Sequence, residues 1–264
     1  MRNVQMKHYK ILLYSMLALL LSAPVANAHF GMVIPSKDIV DQDHKFVQLH
    51  LSFSHPFEGI GMDLGKPQKF YAVHHGKVID LLSELEKTII MNHQAWQIKQ
   101  PIKRPGVYHF VMVPQPYWEP AEDLHIIHYT KTTIAAYGEA EGWDSPIGLP
   151  IEIIPKLRPF GNYAGNTFTG QVLLKGQPAA DTEVEVEFYN QQNKYTSPSD
   201  YHITQVVKTD SNGIFQFTCN LPGWWGFSAL RDAAYTLNDP NGNQKGVEIG
   251  AVFWLYFAPV MDKR

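Results

Sequence analysis

KFVQLHLSFS, residues 45–54, alternates without a break: Val47, Leu49, Leu51 and Phe53 are apolar, and Gln48, His50, Ser52 and Ser54 are polar. A strand sends successive side chains to opposite faces. A period of two therefore predicts a strand with one face in a core and the other turned outward. His50 falls on the polar face. The run ends at His55-Pro56-Phe57-Glu58-Gly59, where Pro56 and Gly59 stop the strand and leave His55 at its tip. TEVEVEFY, residues 182–189, repeats the pattern. Val184, Val186 and Phe188 take one face, and Glu183, Glu185 and Glu187 take the other, which the pattern turns to water.

Outward from these two stretches the chain reads as more short strands. Lys69–His74 and Lys77–Leu82 form a hairpin about His75-Gly76. Ala95–Lys99, Gly106–Pro114, Leu124–Thr133 with an extension to Tyr137, and Ile151–Pro155 follow, with a loop at Gly138–Gly148. Past Lys156–Gly165, a linker with Pro159 and two glycines, come Thr167–Leu174 and a hairpin of His202–Thr209 with Gly213–Thr218 about Asn212-Gly213. Trp224–Leu230 and Val247–Phe257 supply the last strands. No long segment carries a helical period. The expected fold class is all-β, with two β-sandwich domains at residues 29–157 and 158–264 after a cleaved signal peptide at 1–28.

The leader follows from its order. Arg2, Lys7 and Lys10 precede an apolar run from Ile11 to Ala23, and Ala26-Asn27-Ala28 is a small-residue cleavage site. The protein is therefore expected in the periplasm. The composition is that of a folded protein: 45% hydrophobic and 18% charged residues. A net charge of -3 carries no basic excess for nucleic acid. The one cysteine, Cys219, has no internal partner and lies among strand residues, so it reads as a buried thiol.

Cleavage after Ala28 makes His29 the first residue. A terminal histidine offers an α-amino nitrogen and an imidazole together. The remaining histidines cluster in the first half: His44, His50, His55, His74, His75, His93, His109, His125 and His128, against His202 alone in the second. Neutral imidazole suits divalent nickel, cobalt, copper and zinc. The candidate metal ligands are His29, His55 and His128, with His50, His125 and Glu58 in reserve. His50 and His55 stand about 17 Å apart on a straight strand, so they do not share an ion unless the chain bends. His125 and His128 point to opposite faces of an ideal strand. Glu119, Glu122 and Asp123 are further oxygen ligands or orienters of a histidine ring. Metalloprotease, nucleophile-elbow and P-loop motifs are absent, so no catalytic residue is assigned and no enzyme is expected.

Several runs together resemble a bacterial family known mainly as a domain of unknown function, whose members are described as periplasmic components of cobalt or nickel transport systems. They include His55-Pro56-Phe57-Glu58-Gly59, Ile126-Ile127-His128-Tyr129-Thr130-Lys131, Gly142-Trp143-Asp144, Arg158-Pro159-Phe160-Gly161, residues 165–172 (GNTFTGQV), Val184-Glu185-Val186-Glu187 and Pro222-Gly223-Trp224-Trp225-Gly226-Phe227. The resemblance implies export, a β-sandwich build, a divalent transition metal and an inner-membrane metal transporter as partner. The second half is also similar to carboxypeptidase-regulatory-like or transthyretin-like sandwiches, on Gly170–Pro178 and Thr209–Phe215. Two other readings stand beside it. One is a secreted copper enzyme of the terminal-histidine, polysaccharide monooxygenase-like type. The other is a structural or adhesive module.

Overall fold

The computed structural model describes residues 28–262. The expected leader lies outside the described residues except for Ala28. The first half holds β1 (Phe30–Pro35), β2 (Ile39–Val40), β3 (Phe46–His55), β4 (Ile60–Met62), β5 (Lys69–His74) and β6 (Lys77–Asp80). It continues with β7 (Glu86–Ile90), β8 (His93–Pro101), β9 (Gly106–Val113), β10 (Tyr117–Glu119) and β11 (Leu124–Ala136). The second half holds β12 (Ile151–Pro155), β13 (Asn162–Tyr163), β14 (Thr167–Leu174), β15 (Gln177–Pro178) and β16 (Glu183–Phe188). After a single helical turn, α1 (Asp200–Ile203), come β17 (Gln205–Lys208), β18 (Ile214–Thr218), β19 (Gly223–Asp232), β20 (Leu237–Asn238) and β21 (Gln244–Ala258). The fold is all-β, as its alternating sequence requires. No helix among the described residues is long and apolar enough to cross a membrane.

One twelve-stranded sheet runs through both halves in the order β17-β16-β19-β21-β11-β9-β5-β6. Its centre is a parallel pairing of β11 with β21, from Leu124 against Gly246 to Thr132 against Trp254. A sheet of β1, β3, β8, β7 and β4 packs over one end of it. Between them lies a core of Leu49, Leu51, Phe70, Phe110 and Ile134. A second small sheet, of β12, β14, β15 and β18, packs over the other end on Phe168, Val186, Phe227 and Phe253. The outcome is two sandwiches that share one long sheet.

Three readings change in three dimensions. Ile151–Pro155 falls inside the first half by the sequence boundary, yet its hydrogen bonds run to β14, so it is an edge of the second small sheet. The β7 and β10 strands are too short or too irregular in pattern to show before folding. The glutamate face of β16 is not left to water. Glu187 is buried at 1% exposure, accepting from Phe57 N–H and the Thr204 hydroxyl, and Glu185 is mostly covered. The β3–β4 turn lies over this face, which a local period cannot anticipate.

A buried ion pair ties β11 to β12. Lys131 Nζ stands 2.6 Å from Glu152 Oε1, with both side chains only 2% exposed. The Glu152 carboxylate also accepts from the Ile147 and Gly148 N–H groups, so its lone pairs are used. Removal of either charge alone would strand the other in a dry interior.

The same burial sets the pH response. Burial, joined by the charges of Glu248 and Glu187, pushes the Glu185 carboxyl up to about 8. Burial pushes Glu187 up to about 8 against the hydrogen bonds from Thr204 and Phe57. An unfolded chain releases these protons near 4.5, so the folded chain holds more protons from there to about 8, and stability falls as pH rises through that window. Burial pushes His29 and His109 down to about 4 from 6.5, which acts oppositely: stability rises with pH between 4 and 6.5. Above 6.5 the histidine contribution fades, while the two glutamates still lower stability as pH rises. Urea unfolding from pH 6.5 to 8 should therefore show declining stability, by at most about 1.4 kcal/mol per pH unit for each carboxylate. Glu185→Gln and Glu187→Gln should each flatten the slope. An unchanged slope in both variants would refute this assignment.

Candidate metal-binding site around His29

The β1–β3 ladder explains why His29 meets His55. Phe30 pairs with Ser54 in an antiparallel register, so the residue before Phe30 falls opposite the residue after Ser54. Twenty-six positions of separation thus become one cross-strand step. The two imidazole centroids are 4.7 Å apart, and both residues are buried. Phe53 stacks on His29 at 5.6 Å, and Tyr117 approaches both rings from β10. The β10–β11 hairpin pairs Glu119 with Leu124 and carries the Glu119 carboxylate into the site.

Glu119 Oε2 lies 3.0 Å from His29 Nε2. Burial first, then the nearby His55 and His128, push the His29 pKa down to about 4 despite Glu119, so the ring is neutral at neutral pH. A carboxylate accepts only, so Nε2 carries the ring proton and Nδ1 keeps a lone pair. Nδ1 is the nitrogen placed to close a chelate with the α-nitrogen of the same residue. Glu119 therefore does for His29 what outer carboxylates do for metal-bound histidines generally: it fixes tautomer and ring direction. His55 Nδ1 stands 2.7 Å from the Ala28 carbonyl oxygen.

The other named candidates are placed differently. His128, 2% exposed, lies beyond Phe53, with ring centroids 5.8 Å apart. Its Nδ1 accepts the Gly31 N–H at 3.3 Å, so Nε2 carries a proton. That Nε2–H is buried without a hydrogen-bond partner, 3.9 Å from Glu248 Oε1. Neither nitrogen is presented to His29, and His128 touches the site through Phe53 and through β1. His50 is exposed further along β3, opposite Ile34 and Gln97. His125 donates from Nε2 to the Asn238 carbonyl at 3.1 Å and packs against Trp118. Glu58 is exposed in the β3–β4 turn. Met32 is fully buried, with its sulfur accepting from the Ser54 hydroxyl, and is a core residue. Phe53, Tyr117 and Glu248 carry no sequence signal for a site. Glu119 is one carboxylate among several until the hairpin selects it.

Among the described residues no group of three or more His, Cys, Asp or Glu side chains is spaced to hold a metal ion. Two imidazoles meet at this site, and the third nitrogen beside them is the backbone nitrogen of His29. It is an amide while Ala28 is attached and an amine once Ala28 is removed. Only in the second form does the site offer three neutral nitrogen donors.

The family model described as "Domain of unknown function (DUF4198)" matches residues 26–233. No curated protein matches the sequence. Solved structures with some likeness include the D0-D1 domain of Intimin, 14% identical, covering 87% of this chain and 100% of that one at a TM-score of 0.25. The alpha-2-macroglobulin of E. coli is 9% identical, covering 88% of this chain and 14% of that one at 0.24. A two fibronectin type-III domain segment from chicken tenascin is 11% identical, covering 85% and 98% at 0.22. Likeness at these scores carries no argument about this chain.

The Glu119 contact predicts a tautomer. Nitrogen NMR at pH 7 should find His29 protonated at Nε2, and Glu119→Ala should release that preference and lower the His29 pKa further. A His29 ring protonated at Nδ1 in the parent protein would refute the assignment.

Proposed function

The chain belongs to the DUF4198 family, and from that premise we propose that it is an exported, non-enzymatic protein that binds a divalent transition metal, nickel or cobalt, and passes it to an inner-membrane transporter. The observation that carries this reading is the meeting of His29 and His55 on paired strands, with Glu119 behind the first ring. Neutral nitrogen donors suit nickel and cobalt, and copper and zinc belong to the same ligand class. A site near the chain start, with few donors, suits a cargo that must leave again. The second sandwich, which we read as a scaffold of the carboxypeptidase-regulatory-like kind, has one histidine, His202, in an exposed helical turn.

The donor set also predicts a pH response. The terminal amine titrates near about 7.7–8.0 and must be free of its proton to bind. Affinity should therefore fall as pH drops below that range.

Calorimetric titration of the protein beginning at His29 should find one equivalent of nickel or cobalt bound more tightly than about 0.1 mM, roughly -5 kcal/mol. His29→Ala and His55→Ala should each weaken binding at least about tenfold, or 1.4 kcal/mol. Absence of binding at that level overturns the proposal. Strong preference for copper, with reductant-dependent oxidation of a polysaccharide, would replace it with the copper-enzyme reading.

A further inference from the structure

The hydrogen bond from His55 to the residue ahead of His29 has a direction. A carbonyl oxygen accepts and never donates, so at 2.7 Å from the Ala28 oxygen the His55 Nδ1 carries the proton. The carbon of that carbonyl is bonded to the nitrogen of His29. In a trans peptide the carbonyl oxygen stands about 2.3 Å from the following nitrogen. The Ala28 oxygen is thus in contact with both His55 Nδ1 and the atom that becomes the α-amine. Those two nitrogens are at most about 5 Å apart by the same bond lengths. Two nitrogens on one ion, each at about 2.0–2.1 Å, are separated by no more than about 4 Å. The carbonyl oxygen therefore occupies, within about an ångström, the place an ion bridging them would take.

We propose that the Ala28 carbonyl is a built-in plug: in the uncut chain it sits between the His29 nitrogen and His55 Nδ1 and holds both in forms that cannot bind metal. The proposal rests on the reading of His29 and His55 as ligands given above, and it adds how the site is switched on. Hydrolysis by an endopeptidase places the hydroxyl of water on the Ala28 carbon and a hydrogen on the His29 nitrogen. The leader departs as a carboxylate, so the chain that then folds has no Ala28 carbonyl to act as the plug. The new amine then sheds its extra proton, and in the chain that folds after the cut no Ala28 carbonyl holds the His55 proton on Nδ1, so it rests on Nε2 of the same ring. The hydrogen bond of His29 Nε2 to Glu119 does not involve Ala28, so Nδ1 of His29 is presented in both forms.

Burial orders these events. Ala28 is 4% exposed and His29 8% exposed once β1 lies against β3. A protease needs an extended, accessible segment, so the cut must come before β1 is in place. A chain that folds uncut stays plugged.

The test compares two folded proteins, one beginning at His29 and one beginning Ala26-Asn27-Ala28-His29, with thermal unfolding as the check that both are native. Nitrogen NMR without metal should find His55 protonated at Nδ1 in the longer chain. Nickel should bind the longer chain at least 100-fold more weakly than the shorter. His55→Ala should weaken the shorter chain at least tenfold and leave the longer unchanged. Binding of nickel by the two chains within threefold of each other, or a His55 protonated at Nε2 in the longer one, overturns the plug. If His55 is protonated at Nδ1 as expected but neither chain binds nickel, cobalt or copper, the metal reading itself fails. The hydrogen bond would then stand as a structural contact, and the plug would have nothing to block.

Discussion

The parallel pairing of β11 with β21 is the constraint on which the rest of the molecule depends. It joins segments more than a hundred residues apart over nine successive pairs and makes one sheet of two. Without it each sandwich would end in a long open edge. With it, Val252 and Trp254 form a shelf at the junction, and Phe30 and Met32 of β1 rest on that shelf. Trp254 Nε1 donates to the Gly31 carbonyl at 2.8 Å, while the Gly31 N–H donates to His128. β1 is thus pinned from both sides at Gly31, two residues from His29. A side chain at Gly31 would run into the Thr130 hydroxyl, so only glycine allows this approach. The position of His29 is set by the junction of the two halves and not by its own neighbourhood alone.

Burial does opposite things to the groups around that junction. It keeps His29 neutral, which is the form a metal ligand needs, and it keeps Glu185 and Glu187 protonated at neutral pH. Both effects come from the same cause, the cost of holding a charge away from water. The Lys131–Glu152 pair solves the same problem by mutual compensation, with two backbone N–H groups completing the carboxylate's shell.

Much of the strand content was legible from alternation and turn chemistry. Lys69–His74 and Ile151–Pro155 have the bounds their patterns predict, and the β5–β6 hairpin turns on His75-Gly76, both at positive φ. The outward face of β16 was misread because nothing in EVEVEF tells that a turn from residues 56–59 will cover Glu187. Of the site, His29 and His55 were legible from chemistry: one from what precedes it, the other from its place at a strand end. Glu119 was visible only as one of several carboxylates, and Phe53 and Tyr117 only as strand residues. His128 lies beyond Phe53, and its hydrogen bond to Gly31 turns its nitrogens elsewhere.

The sequence by itself determined which segments are strands and which of their faces are apolar, because the pleat of a strand alternates side chains whatever the partner is. It also determined that a histidine follows the small-residue motif Ala26-Asn27-Ala28. Only the tertiary structure decided that β1 registers on β3 so that His29 meets His55, that Glu119 reaches His29, and that the Ala28 carbonyl lies on His55. Those are pairings between residues far apart in the chain. Register and packing choose among many such pairings, and a local period of two is compatible with all of them.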